Sequence, residues 1–310
     1  MVKKLIFICI IFFLGCVGVK KDNDKTFFVC GTYLRISSED SRAADIVYDE
    51  FKRLEKIFNK YDSKSELSSL NNSYNSSVKV SSDLLQLLLI SFHVYDVSGG
   101  AFDVSQGVLY DFWKDLIKSG SVDILPDQDK VKELMAYGGM ANIVIDKENS
   151  TVTIKKRGLK IDLGGIADGY MVDSAVNKLR EAGINSALID VGGDIFCLGI
   201  NNGRPWRVGV RNPEDIQGII DQQDMQDEAI ATSGNYEQYF DIGSKRYSHI
   251  IDPRTGYPVT NNVTSVTVIT KNCTSADSLS TYFYVIGEDG VAGFLSKNLS
   301  TMRVFMLIKN

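Results

Sequence analysis

One of only two histidines in the chain, His249, stands in Ser248-His249-Ile250-Ile251-Asp252-Pro253-Arg254-Thr255-Gly256-Tyr257-Pro258. Histidine is the one side chain whose unperturbed pKa lies near neutrality, which suits it to general-base work. The Asp-Pro-x-x-Gly-x-Pro that follows it enforces a rigid, irregular backbone. A satisfied structural histidine is the alternative that this stretch alone leaves open. The other histidine, His93, lies in a leucine-rich segment and reads as packing.

A second candidate is Thr274-Ser275-Ala276-Asp277-Ser278-Leu279-Ser280-Thr281, which reads as the opening of a helix. Asp277 and Thr281 are four apart, so both oxygens point from one helical face. A carboxylate, a hydroxyl and backbone carbonyls form a hard oxygen set suited to Mg²⁺. Spacing equally allows Asp277 to cap the helix while Thr281 packs. Three turns set glycines beside an aspartate: Ser98-Gly99-Gly100-Ala101-Phe102-Asp103, Asp162-Leu163-Gly164-Gly165-Ile166-Ala167-Asp168-Gly169 and Asp190-Val191-Gly192-Gly193-Asp194. Glycine lets a backbone approach a ligand closely, and glycine pairs also serve as plain turns. The nucleotide motifs GxGxxG after a strand and GxxxxGK[ST] are absent.

The elements that must position these residues follow from periodicity. Phe27 to Ser37 reads as a first strand, Ser41 to Asn59 as an amphipathic helix, and Ser82 to Val97 as a more buried one. Asn142–Asp146 and Thr151–Lys155 form a hairpin pattern. A βαβ-like unit runs from Leu159–Leu163 through a helix at Ile166–Ala182 to Ser186–Val191. Short strands fill Asp194 to Val268, Ser275 to Val285 is helical, and Met302 to Ile308 is a last strand. Helices and strands mix without strict alternation, so the expected class is α+β, one domain of mixed β-sheet with packed helices over 27–310.

The N-terminus reads as a signal rather than as part of the fold. Lys3-Lys4 and the apolar run Leu5–Leu14 precede Gly15-Cys16. A cysteine so placed resembles the lipobox of bacterial lipoproteins, with Phe13 where leucine is commonest. The expectation is a signal peptide over 1–15, a lipid on Cys16 and a tether over 16–26. A cleaved signal with an incidental cysteine is the alternative. Of the five cysteines, Cys30, Cys197 and Cys273 then remain for the fold, and they read as buried small hydrophobes. With 44% apolar residues a sizeable core is available, and a formal charge of −5 without a basic stripe argues against a nucleic-acid partner.

Eight motifs occur in order: Tyr61-x-x-x-Ser65-Glu66-Leu67-x-x-Leu70-Asn71, Gly100-Ala101-Phe102-Asp103, Asp162-Leu163-Gly164-Gly165-Ile166-Ala167-x-Gly169-Tyr170, Val191-Gly192-Gly193-Asp194, Trp206-Arg207-Val208-Gly209-Val210-Arg211-Asn212-Pro213, Ala231-Thr232-Ser233-Gly234, Ser248-His249-Ile250-Ile251-Asp252-Pro253-x-Thr255-Gly256 and Ala276-Asp277-x-x-Ser280-Thr281. Together they resemble the ApbE family, FAD:protein FMN transferases that are often periplasmic lipoproteins. The resemblance implies FAD as substrate and one or two Mg²⁺. It implies cleavage of the pyrophosphate, transfer of FMN to a threonine or serine of an acceptor protein, and release of AMP. It matches Asp277, Thr281 and the Gly165 carbonyl to metal ligands. Tyr61, Ala101, Phe102, Asp103, Asp162, Asp168 and Ile251 match FAD-contacting positions, and His249 matches the base. Cys30 stands where the family usually has methionine. Asp168 stands where relatives carry lysine or an acidic residue.

The expected setting is the bacterial cell envelope, lipid-anchored and facing the periplasm. Two other readings share most of these residues. An FAD pyrophosphatase would use water in place of the acceptor hydroxyl. A non-catalytic, lipid-anchored flavin-binding protein would not require His249, Asp277 and Thr281 together.

Overall fold

The computed structural model describes residues 24–119, 124–213, 215–235, 239–242, 245–297 and 302–309. The segment 1–15, Cys16 and most of the tether fall outside them.

Seven strands form the main sheet: β1 (Lys25–Val29), β2 (Thr32–Ser37), β3 (Ala187–Val191), β4 (Asp194–Leu198), β5 (Glu228–Gly234), β6 (Val263–Thr270) and β7 (Arg303–Ile308). They lie in chain order, each antiparallel to the next. Long excursions leave this simple frame and return to it. Helices α1 (Ala43–Phe58), α2 (Glu66–Asn71), α3 (Ser82–Ser98), α4 (Gly107–Ser119), α5 (Gln128–Met135) and α6 (Ala167–Glu181) come between β2 and β3. Two short ribbons come between β5 and β6, and α7 (Cys273–Lys297) between β6 and β7. An antiparallel sheet with segregated helices is α+β, in keeping with the residue pattern.

Alternation along the strands sorts the core into two faces. Ala187, Ile189, Phe196, Leu198, Ala229, Ala231, Val266 and Val268 join the main cluster with residues of α6 and α7. The intervening Cys197, Ile230 and Ile269 pack instead against Trp206, Val208, Val210 and Met225 of the hairpin Trp206–Asn212/Asp215–Met225. On α1 the buried residues Val47, Glu50, Phe51, Leu54 and Phe58 recur at helical spacing.

Several expectations are corrected. Phe27 to Ser37 is a hairpin, because Cys30 and Gly31 take φ of 51° and 82° and so supply the left-handed pair that a two-residue turn between twisted strands requires. That turn leaves Cys30 exposed, whereas Cys197 and Cys273 are buried. Leu159–Leu163 is not a sheet strand: its regular pairing is a parallel bridge, Gln106 to Lys160, so no βαβ unit forms. His93 faces outward from α3 rather than packing. Two of the three glycine pairs serve as turns at the ends of regular elements. Gly99 ends α3 in the left-handed region at φ 59°, and Gly192-Gly193, at φ 60° and 106°, turn β3 into β4.

Candidate active site

The third glycine turn, at Gly164-Gly165, is where site residues converge. Asp162 N–H donates to Val104 O at 2.8 Å, and Gly107 N–H donates to Lys160 O at 2.9 Å. These bonds fasten the Asp162 segment to the Ala101–Asp103 turn. Phe102 N–H donates to Ser98 Oγ at 3.1 Å, holding that turn to the end of α3. Asp103 Oδ1 accepts from Ser105 N and Oγ at 2.8 and 2.6 Å, and burial pushes its carboxyl upward against those donors. Asp162 Oδ1 accepts from Gly164 N at 2.8 Å, closing the turn on itself.

Gly165 faces α7. A Cβ built there would sit 3.3 Å from the Phe102 ring and 3.5 Å from Thr281 Oγ1. The turn then enters α6, whose first residues meet the start of α7. Gly169 N–H donates to Asp277 Oδ2 at 3.2 Å. A Cβ on Gly169 would fall 2.5 Å from Cys273 O, so this crossing requires a residue without a side chain.

Asp277 does not cap its helix. The end of α7 is satisfied by Asp173, which accepts from Cys273 N, Thr274 N and Thr274 Oγ1 at 2.5–2.8 Å, and by Asn272, which accepts from Ser275 N. Asp277 is thereby left to the interior. Burial raises its pKa, and the neighbouring Asp168 carboxylate adds to that rise against the Gly169 N–H. Burial pushes Asp168 up to about 6. Two crowded carboxylates that resist ionisation are a strained arrangement on their own.

Their chemistry fits a hard divalent cation. Asp277 and Thr281 share one helical face, and Gly165 lies against Thr281. Among the described residues no group of three or more His, Cys, Asp and Glu gathers as a metal cluster. A sparse oxygen set of this kind suits Mg²⁺, which keeps several of its waters.

His249 is carried on the connection between the ribbons Tyr239–Ile242/Lys245–Ser248 and Ile251–Asp252/Tyr257–Pro258. Ser248 Oγ accepts from Ile250 N at 3.1 Å and so spans His249. Ser248 also lies near enough to the Tyr284 hydroxyl, two turns beyond Asp277 on α7, to oppose the rise that burial gives that phenol's pKa. The residue before His249 thus lies beside the helix that bears the candidate ligands. Ile251, expected at an FAD-contacting position, lies on the strand that follows His249. Its side chain is buried in a second apolar cluster with Leu109, Trp113, Phe240 and Tyr247.

Tyr61 is 62% exposed and marks the rim. Lys114 Nζ donates to its hydroxyl at 2.9 Å, and Lys60 and Lys114 stand 5.0 and 4.7 Å from its ring centre. Beside it a cleft of about 170 Å³ is lined by Lys60, Tyr61, Ser68, Asn71, Asn72, Asp111 and Lys160. The exposed Cys30 lies near Asp168, and partial enclosure together with that carboxylate pushes its thiol up to about 12. It is therefore no thiolate nucleophile at neutral pH.

Sequence reasoning missed Ser233, whose Oγ lies 3.2 Å from Thr281 Oγ1 and 2.8 Å from Ser280 Oγ. It sits inside Ala231-Thr232-Ser233-Gly234, and a polar residue on a core strand facing a ligand helix was the available signal. It also missed Asp173, five residues beyond Asp168, which carried no local signal.

An antiparallel sheet of α+β build thus backs a turn lined by oxygen atoms and a connection that carries a histidine. The ApbE family model matches residues 30–306, and the chain belongs to that family. The FAD:protein FMN transferase of Vibrio cholerae is 34% identical over 255 residues, covering 80% of this chain and 74% of its own. That of Treponema pallidum is 30% identical over 310 residues, covering 92% and 85%. Among solved structures, the ApbE protein of Thermotoga maritima superposes with a TM-score of 0.82 at 31% identity, over 93% of this chain and 94% of its own. The flavin transferase ApbE of Vibrio cholerae gives 0.82 at 28%, over 94% of each.

Proposed function

We propose that this enzyme is a Mg²⁺-dependent FAD:protein FMN transferase, joining FMN through a phosphoester to a threonine or serine of an acceptor protein and releasing AMP. The observation that carries the reading is the neighbouring carboxylates of the buried Asp277 and the half-buried Asp168, on the helices that meet beside Thr281 and Gly165. The names of the relatives support the same activity.

In this reading Asp277, Thr281 and the Gly165 carbonyl hold the metal. When bound, Mg²⁺ offsets charge on the pyrophosphate of FAD and so favours in-line displacement. Tyr61, Ala101, Phe102, Asp103, Asp162 and Asp168 hold FAD, and Ile251 meets it through its backbone. His249 takes the proton of the acceptor hydroxyl. The freed oxygen bonds the phosphorus of the FMN half, the bond from that phosphorus to the bridging oxygen breaks, and AMP leaves with that oxygen. A hydroxyl is a poor nucleophile at neutral pH, and a positioned base contributes on the order of 10²–10⁴ in rate.

The lipobox-like Leu14-Gly15-Cys16 supports a lipid anchor on Cys16 in the bacterial cell envelope, with the enzyme facing the periplasm. The segment from Lys20 onward, incubated with FAD, Mg²⁺ and a flavinylation-competent acceptor, is expected to give a fluorescent acceptor band and AMP. Free FMN and AMP without a labelled acceptor would identify a pyrophosphatase instead, and intact bound FAD a binding protein. His249→Ala is expected to slow transfer by about 10²–10⁴ with FAD binding retained; transfer at the parental rate would remove His249 as the base.

A further inference from the structure

Lys60 belongs to none of the motifs shared with the family, yet it touches two of the residues assigned to FAD. It is one residue from Tyr61 and lies 5.0 Å from that ring centre. Its Nζ donates to Asp162 Oδ2 at 2.6 Å and to Asp111 Oδ1 at 2.5 Å. The side chain is only 10% exposed. Burial disfavours an ammonium, but the Asp162 and Asp111 carboxylates outweigh that cost, and its pKa is raised. Lys60 therefore stays a cation across the working pH range.

The two oxygens of Asp162 are fixed separately. Oδ1 is held by Gly164 N–H within the turn, and Oδ2 by Lys60 from outside it. A carboxylate held at both oxygens cannot rotate about its terminal bond, so its direction is set before any ligand arrives. Without Lys60, Asp162 would face Asp111 with no cation between them. The opposing view is an ion pair that merely staples the end of α1 to α4. That view does not explain why the lysine bonds the glycine-turn carboxylate as well, at the wall of the cleft beside Tyr61.

We propose that Lys60 is a positioning residue for FAD: anchored by Asp111, it sets the direction in which Asp162 meets the substrate. The proposal rests on the assignment of Asp162 as an FAD contact. The test measures FAD dissociation constants by flavin fluorescence, together with melting temperatures and transfer kinetics at saturating acceptor. The proteins compared are the parent, Lys60→Met, Lys60→Arg, Asp111→Asn, Asp162→Asn and the Lys60→Met/Asp162→Asn double variant.

Lys60→Met is expected to raise both the dissociation constant and the KM for FAD about tenfold, with a smaller effect on kcat. Arginine, which also bridges two carboxylates, restores part of that loss. Asp111→Asn weakens FAD in the same direction by a smaller factor. The double variant binds FAD no more weakly than Asp162→Asn alone, because the lysine acts through the aspartate. If Asp162→Asn leaves FAD affinity unchanged, the assignment of Asp162 fails and takes the proposal with it. If Asp162→Asn weakens FAD while Lys60→Met lowers only the melting temperature, or if the two losses add in full, the positioning role is overturned. Should Lys60→Met not fold, Lys60→Arg and Asp111→Asn decide by the same comparison: FAD affinity equal to the parent in both refutes the role.

Discussion

Thr281 Oγ1, Ser233 Oγ and Ser280 Oγ form a chain of hydroxyls, with Ser280 Oγ in turn donating to Asp277 O at 2.9 Å. Each hydroxyl has one proton, so the chain fixes which way the Thr281 lone pairs point. Groups that orient a metal ligand commonly matter by 10–100-fold in affinity. Ser233→Ala is accordingly expected to raise the Mg²⁺ concentration at half-maximal thermal shift by about tenfold, with the same change in the Mg²⁺ dependence of transfer. An unaltered Mg²⁺ titration would show that Thr281 needs no such partner. The shared helical face of Asp277 and Thr281 was legible in the sequence because an i, i+4 pair is a local relation. Ser233 and Lys60 were not, since their partners lie 48 and 102 positions away. No periodicity encodes such a distance. Ile251 shows the same limit from the other side: its place in a motif said nothing of the apolar cluster that takes its side chain.

Among the elements, α1, α6 and α7 decide whether the site residues meet. The closest approach is at Gly169, where a Cβ would collide with Cys273 O and lie 2.9 Å from Asp277 Cβ. Gly169→Ala is expected to destabilise by about 1–3 kcal/mol through overpacking and to weaken Mg²⁺ binding by displacing Asp277. A chemical-denaturation midpoint equal to the parent's would contradict this. On the other side of α6, Glu50 of α1 accepts from Ser174 Oγ at 2.5 Å and pairs with Arg53 at 2.7 Å. The Arg53 guanidinium lowers the Glu50 pKa, burial opposes it, and Ser174 assists. A carboxyl depressed in the folded state adds stability above its unfolded pKa and loses it as pH falls through the folded value. The melting temperatures of the parent and Glu50→Gln should therefore differ at pH 7 and converge below about pH 4. A gap that persists in acid would assign the effect to packing. Helices α1, α3 and α6 were legible nearly to their ends, and α7 only in its first part, since the reading stopped at Val285 whereas the helix continues past a break at Gly287 to Lys297. The first hairpin was not, because its turn is made by a cysteine at positive φ rather than by an Asn-Gly pair.

For the whole molecule, the sheet is a plain succession of neighbours, and the chemistry is carried by what leaves it and comes back. In the proposed site, segments from α1 to α7 share one nucleotide, so the substrate should report on the integrity of the entire chain. FAD with Mg²⁺ at about 100 times the dissociation constant is expected to add about 2.7 kcal/mol of stability. The check is a single upward-shifted thermal transition, and an early transition left in place would mean that part of the fold does not contribute to binding. The position of α7 has a consequence in time. In the proposed site Asp277 and Thr281 come last along the chain, after β1 to β6. Until α7 has packed, the turn at Gly164-Gly165 has no Thr281 against it. The proposed metal site is therefore complete only when the C-terminal part of the chain has folded.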